Sequence, residues 1–330
     1  MHPLHHDAFV FDAHCDTLGQ ALPGLLRRDL REWGTFGHLD LPRLAAGGIN
    51  CQVFACFPGE SRLNASPTSA ALERLEVLYE LLAQAPESVA LVQTAADLDH
   101  LTPDGPIGAL LGLEGSEALE GTVALLHTFF RLGLRVLGLS WNPRNAACDG
   151  VDGGSDFGLT AYGRELVRLC NQLGVVLDVS HLNAAGIKDV LAISRQPIIA
   201  SHSNARALCN NRRNLTDSQL AAIAAKGGVI GATFVPDFLT DNHEEASIGH
   251  LLAHIDYMVD VAGIDHVGLG SDFDGWTLPE DLDSGEKYPR ITDGLLAYGY
   301  PEDAIRKILG ENFRRVFRQI LPPGHPIGDA

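Results

Sequence analysis

Short apolar runs recur along the chain, each closed by glycine, proline or a polar turn, and most are followed by a stretch whose apolar residues return every three or four positions. Eight of the runs predict strands, at 8–13, 49–56, 107–113, 134–140, 174–180, 197–201, 228–234 and 265–271. Several are almost continuously apolar, as in Val175-Val176-Leu177-Asp178-Val179, which is the pattern of a parallel strand covered on both faces. Helical periodicity runs over 70–85, 121–132, 161–173, 184–194, 216–226 and 247–262, and Thr216-Asp217-Ser218-Gln219 is a capping box. Strand followed by helix along the whole chain predicts an α/β fold, a closed (β/α)8 barrel of TIM type, with residues 1–330 forming one domain that ends in a helix around 301–320 and a Pro/Gly-rich tail. No Gly-x-Gly-x-x-Gly follows the first strand, which argues against a dinucleotide-binding sheet. The long Gly-rich segments 17–48 and 141–160 follow strands, so they belong at the C-terminal mouth of the barrel.

Composition narrows the partners. With 42 acidic against 24 basic residues the formal charge is −18, which disfavours nucleic acid and anionic membrane surfaces. No basic segment with an apolar run behind it opens the sequence, and no stretch approaches the length of a membrane span, so no membrane anchor and a cytoplasmic location are expected. The six cysteines, at 15, 51, 56, 148, 170 and 209, form no Cys-x-x-Cys pair and read as reduced, buried apolar residues. His2, His5 and His6 read as a frayed N-terminal tail.

Metal-ligating residues fall at the strand ends. His14 and Asp16 close the first strand two residues apart, a spacing that puts both on one side of an extended chain. Glu114 ends the third strand, His181 the fifth, His202 the sixth and Asp272 the eighth, where a barrel aims side chains into one cavity. Any one of them could be an ordinary buried histidine or a carboxylate at a helix start. Packing three carboxylates together without cations is costly, however, and two divalent ions remove that cost. The mixed N/O set suits zinc ahead of iron, cobalt or manganese. None of the four lysines, at 188, 226, 287 and 307, ends a strand, which leaves Glu114 as the best bridge between two ions.

These residues resemble the membrane (renal) dipeptidase family of the amidohydrolase superfamily, in its bacterial branch. The resemblance is carried by Phe11-Asp12-Ala13-His14-Cys15-Asp16, Leu177-Asp178-Val179-Ser180-His181, Ala200-Ser201-His202-Ser203-Asn204-Ala205-Arg206, Arg212-Arg213-Asn214-Leu215-Thr216-Asp217, Gly268-Leu269-Gly270-Ser271-Asp272-Phe273-Asp274-Gly275 and Asn312-Phe313-Arg314-Arg315-Val316-Phe317. It implies that His14, Asp16 and Glu114 hold one zinc ion and that Glu114, His181 and His202 hold the other. It also implies that Asp272 transfers protons and that Arg213 pairs with the free carboxylate of the substrate. One departure stands out: renal members have Leu-Thr-His after the fourth strand, and this chain has Leu139-Ser140-Trp141-Asn142, so Trp141 offers only an indole N–H donor beside the substrate.

The expected chemistry is hydrolysis of a dipeptide's peptide bond by a hydroxide shared between two zinc ions, including dipeptides with a D-residue at the C-terminal position. Asp272 would carry the proton to the leaving amine, with Asp274 as a rival that strand alternation turns the same way. Small peptides are the expected partners and a homodimer is open. An N-acyl amino acid amidase or a deaminase uses the same kind of centre and is the alternative. A metal-dependent sugar isomerase and a noncatalytic metal-binding barrel stand further off, the latter because no ligand or base is missing.

Overall fold

The computed structural model of the chain describes residues 1–22, 28–59 and 66–324. Nine parallel strands form its sheet: β1 Val10–Cys15, β2 Ile49–Cys56, β3 Val89–Leu91, β4 Ile107–Leu113, β5 Leu134–Gly138, β6 Val176–Asp178, β7 Ile199–Ala200, β8 Val229–Ala232 and β9 Val267–Leu269. β1 pairs with β2 on one side and β9 on the other, and β2 pairs with β4, so eight strands close into a barrel with helices between them. The long strands β1, β2, β4 and β5 are buried at every position, as their continuous apolar runs require.

The additional strand, β3, lies outside the eight expected runs. It pairs Val89 to Leu91 with Ile107 to Ala109, while β5 takes the next part of the same edge, from Leu111 to Leu113. Three residues are too few to show a period, so this element carries no readable signal in sequence. Most helices agree with the expected ranges within a few residues, including Ala161–Leu173, Ala184–Ile193 and Ile248–Ala262. The capping box at Thr216 is formed, with Gln219 accepting from the Thr216 N–H at 2.8 Å. A helix at Pro289–Ala297 was not anticipated, and the terminal helix is interrupted by a π-turn at Lys307–Glu311 before continuing as Asn312–Ile320. That last helix packs on β1, β8 and β9, with the Phe313 and Phe317 rings 5.4 and 4.9 Å from Phe11. Asn312 Nδ2 donates to the carbonyls of Ile264 and Val267 and ties the helix to the start of β9.

The N-terminus is not frayed. Pro3–His6 forms a helical turn, and His5 is buried, with Nδ1 2.6 Å from Thr292 Oγ1 and Nε2 2.8 Å from the Gly47 carbonyl. All six cysteines are buried and unpaired, and burial raises the thiols of Cys56 and Cys209, to about 12 and about 11. No helix among the described residues is long and apolar enough to cross a membrane. Residues 23–27 of the first long mouth segment, and 325–330 of the tail, lie outside the described residues.

Candidate metal centre

The barrel brings the six strand-end residues together. His14 lies within β1 and Asp16 directly after it, and His14 Nε2 is 3.5 Å from Asp16 Oδ2. The same nitrogen is 3.7 Å from Glu114 Oε2 and 3.8 Å from Asp272 Oδ1. On the other side Glu114 Oε1 is 2.7 Å from His181 Nε2 and 3.8 Å from His202 Nε2. Ligand atoms that share one zinc ion at about 2.0–2.1 Å are about 3.3 Å apart, so these separations suit a common cation.

Hydrogen bonding and charge point the same way. His14 Nε2 is buried without a hydrogen-bond partner. His181 Nε2 and His202 Nε2 face each other at 2.8 Å. Burial pushes the Glu114 carboxyl well above its ordinary range, with Asp16 adding to the effect. Burial likewise lifts Asp272 to about 7, against the pull of His14. Burial alone would lower His14, but Glu114, Asp16 and Asp272 outweigh it and raise the imidazole to about 10. His181 and His202 are held far below their ordinary value by burial, with Arg213 and His14 adding to it, so both stay neutral. Desolvated carboxylates, neutral imidazoles and an orphaned nitrogen around one point form a donor set that fits divalent cations. Two overlapping groups, His14 with Glu114 and His202, and His14 with Asp16 and Asp272, have ligand atoms within 4.8 Å of one another.

Two buried carboxylates support this cluster, Asp12 from within β1 and Asp178 from the end of β6. Asp178 accepts from the Ser201 hydroxyl at 2.5 Å and the Ser180 hydroxyl at 2.7 Å, and Asp12 accepts from the Ser271 hydroxyl at 2.6 Å and the Ser271 N–H at 2.8 Å. Burial pushes Asp12 up to about 6. A Cβ on Gly231 or Gly270 would collide with the Ser201 carbonyl, so both glycines allow the backbone approach that seats Ser201 and His202. Sequence reading passed over Asp12 and Asp178, although an acid inside an apolar strand run was the signal available.

Asp272 and Asp274 part company. Both have left-handed backbones, with φ of 64° and 65°, a conformation aspartate tolerates better than most residues. Regular alternation ends with β9 at Leu269, and it does not extend to this pair. Asp272 joins the histidine cluster. Asp274 instead accepts from Thr17 Oγ1 at 2.7 Å, Arg28 Nη1 at 3.1 Å and the His38 N–H at 2.7 Å. It anchors the long segment after β1, and Arg28 and Asp274 side chains are 2% and 1% exposed. Asp274→Ala should strand the Arg28 charge and lower stability by about 3–5 kcal/mol, read from the midpoint of chemical denaturation. An unchanged midpoint would remove the anchoring role.

Arg213 is buried. Its Nη1 donates to the Ser180 carbonyl, Nη2 reaches His181 Nε2 at 3.2 Å, and the guanidinium lies 5.3 Å from the Phe238 ring. Burial lowers it to about 10, opposed by Asp272 and Glu114, so it remains a cation at neutral pH. Arg213, Glu114, His181, Asp272, Asp16 and Trp141 all line one cavity of about 330 Å³. Trp141 forms part of its wall, 5.0 Å from Phe57 and 6.1 Å from His181 between ring centres.

Comparison with known proteins shows the family. The profile of the membrane dipeptidase family, peptidase family M19, matches residues 1–322. The chain is 36% identical over 257 residues to an uncharacterised protein of the pqqA 5′ region in Klebsiella pneumoniae, covering 75% of this chain and 95% of that one. A metallopeptidase from Rhodobacter sphaeroides, solved with a phosphinate mimic of the dipeptide L-Ala-D-Ala, superposes with a TM-score of 0.87 at 33% identity over 95% of this chain and all of that one. The M19 metallopeptidase called dipeptidase AC gives the same TM-score of 0.87 and identity of 33%, over 96% of this chain and 99% of that one. The chain therefore belongs to the membrane dipeptidase family, peptidase family M19, and is a metal-dependent dipeptidase.

Proposed function

We propose that the protein is a zinc dipeptidase whose two metal ions share Glu114, and that it hydrolyses dipeptides, including those with a D-residue at the C-terminal position. The observation that carries this reading is the split of the Glu114 carboxylate, with Oε2 toward His14 and Oε1 toward His181 and His202. His14 and Asp16 would complete one site, and His181 and His202 the other. The L-Ala-D-Ala mimic bound by the Rhodobacter sphaeroides metallopeptidase supports acceptance of a D-residue. Bound zinc supplies Lewis acidity and a water acidified toward neutrality.

The protein's own residues supply the rest. Arg213, fixed by the Ser180 carbonyl and the Phe238 face, is suited to a terminal carboxylate in bidentate fashion. Asp272, 3.8 Å from His14 at the edge of the cluster, takes the proton of the attacking water and passes it to the leaving amine. Phe57, Trp141, Val235 and Phe238 wall the cavity and limit water around the substrate. The Trp141 indole N–H adds one donor toward the substrate.

Metal analysis of protein reconstituted with zinc tests the centre. Close to two ions per chain are expected, with activity abolished by a chelator and restored by zinc. His181→Ala or His202→Ala should deplete one ion. Full occupancy in both variants would remove them from the ligand set. A substrate panel of L,L- and L,D-dipeptides beside N-acyl amino acids separates the peptidase from the amidase, since faster turnover of the acyl compounds favours the latter.

A further inference from the structure

His181 and His202 are each held from behind, and the hydrogen bonds fix which ring nitrogen carries the proton. A guanidinium only donates, so Arg213 Nη2 at 3.2 Å requires His181 Nε2 to be a bare acceptor. The proton of His181 is then on Nδ1, which donates to Asn142 Oδ1 at 2.9 Å. For His202 the reasoning runs through a hydroxyl. Ser201 Oγ–H donates to Asp178 Oδ2 at 2.5 Å, which uses the one proton the hydroxyl has. Ser201 Oγ must therefore accept from His202, whose Nδ1 lies 2.7 Å away. Asp178 is itself immobilised by four donors: the Ser180 and Ser201 N–H groups at 3.0 and 2.9 Å, and the two serine hydroxyls. With each ring's single proton on Nδ1, the two Nε2 atoms face each other at 2.8 Å, and that of His181 also lies 2.7 Å from Glu114 Oε1.

We infer that Asn142 and the Asp178–Ser201 pair are positioning residues that lock His181 and His202 in the Nδ1–H tautomer and thereby set the affinity of the metal centre. The inference rests on the metal-centre reading above and goes beyond it, because it assigns work to three residues that act through the histidines they hold. Free imidazole favours the opposite tautomer, and a partner on Nδ1 is what reverses the preference. Asn142 follows Trp141 in the segment after β5, so that segment serves the metal centre as well as the cavity wall.

Nitrogen-15 NMR of the metal-free wild-type protein reads the tautomers directly and needs no variant. Nδ1–H signals are expected for both His181 and His202, and Nε2–H signals for either would overturn the lock. Competition with a chromophoric chelator then measures zinc affinity in Asn142→Leu and Ser201→Ala, which remove the two acceptors while leaving the proposed ligands in place. Each should bind zinc about 10- to 100-fold more weakly than wild type, and Ser201→Thr, which restores a hydroxyl, should recover most of the loss. Wild-type affinity in both folded variants, judged by an unchanged thermal midpoint, would also overturn the inference. A wild-type protein that takes up no zinc would overturn the metal-centre reading, a result that the tautomer signals cannot mimic.

Discussion

Asp272→Asn should lower kcat at least ~100-fold while the protein keeps its metal content and its fold, since a proton-transfer group of this kind contributes about 10²–10⁴-fold. The substitution keeps shape and size and removes the charge and the ability to hold and release a proton. Asp272 suits that task because its carboxylate stands in the cluster, 3.8 Å from His14, and lines the same cavity as Arg213. Asp274 has its carboxylate occupied by Thr17, Arg28 and the His38 N–H, so Asp274→Asn should act on stability rather than on turnover. Steady-state kinetics with metal analysis on both variants decides the matter. Full turnover in Asp272→Asn would move proton transfer to another group, and loss of zinc in that variant would make Asp272 a ligand instead.

Arg213→Ala should reduce kcat/KM for dipeptides by about 30- to 900-fold, corresponding to about 2–4 kcal/mol for a buried charge-assisted pair. Dipeptide amides isolate the cause. They lack the carboxylate, so they should be poor substrates of the wild-type enzyme and lose little more in the variant. On the proposed reading the guanidinium would hold the terminal carboxylate while the metal cluster held the scissile carbonyl, an arrangement that a longer chain could not satisfy. Tripeptides should therefore be cleaved slowly or not at all. Rapid cleavage of tripeptides or of amidated substrates would mean that Arg213 holds the cavity wall, through Ser180 and Phe238, rather than the substrate.

Much of the architecture was legible because a parallel barrel leaves a simple trace in sequence. Strands buried on both faces must be apolar throughout, and the polar residue that ends each run stands at the mouth. His14, Asp16, Glu114, His181, His202 and Asp272 could be picked out on that ground alone, before any coordinate placed them within a few ångströms of one another. β3 was not legible, since Val89–Leu91 is too short to show a period and is a strand only because the edge of β4 is free to receive it. His5 was misread for a related reason: a polar residue near a terminus gives no sign that Thr292 and Gly47, far along the chain, will enclose it.

What the sequence by itself determined was the class of fold, the residues offered to a metal and the acidic surface, because these depend on composition and on period along the chain. The tertiary structure alone decided the assignments that depend on partners from other strands. Asp272 and Asp274 are two residues apart and chemically identical, yet one meets His14 and the other meets Arg28, because the strand has already ended at Leu269 and both residues take left-handed backbones. The tautomers of His181 and His202 are likewise set by Asn142, 39 residues away, and by Ser201 and Asp178, which belong to adjoining strand ends. Hydrogen bonds are directional and short, so a role that depends on them exists only once the barrel has closed and the donors stand opposite their acceptors.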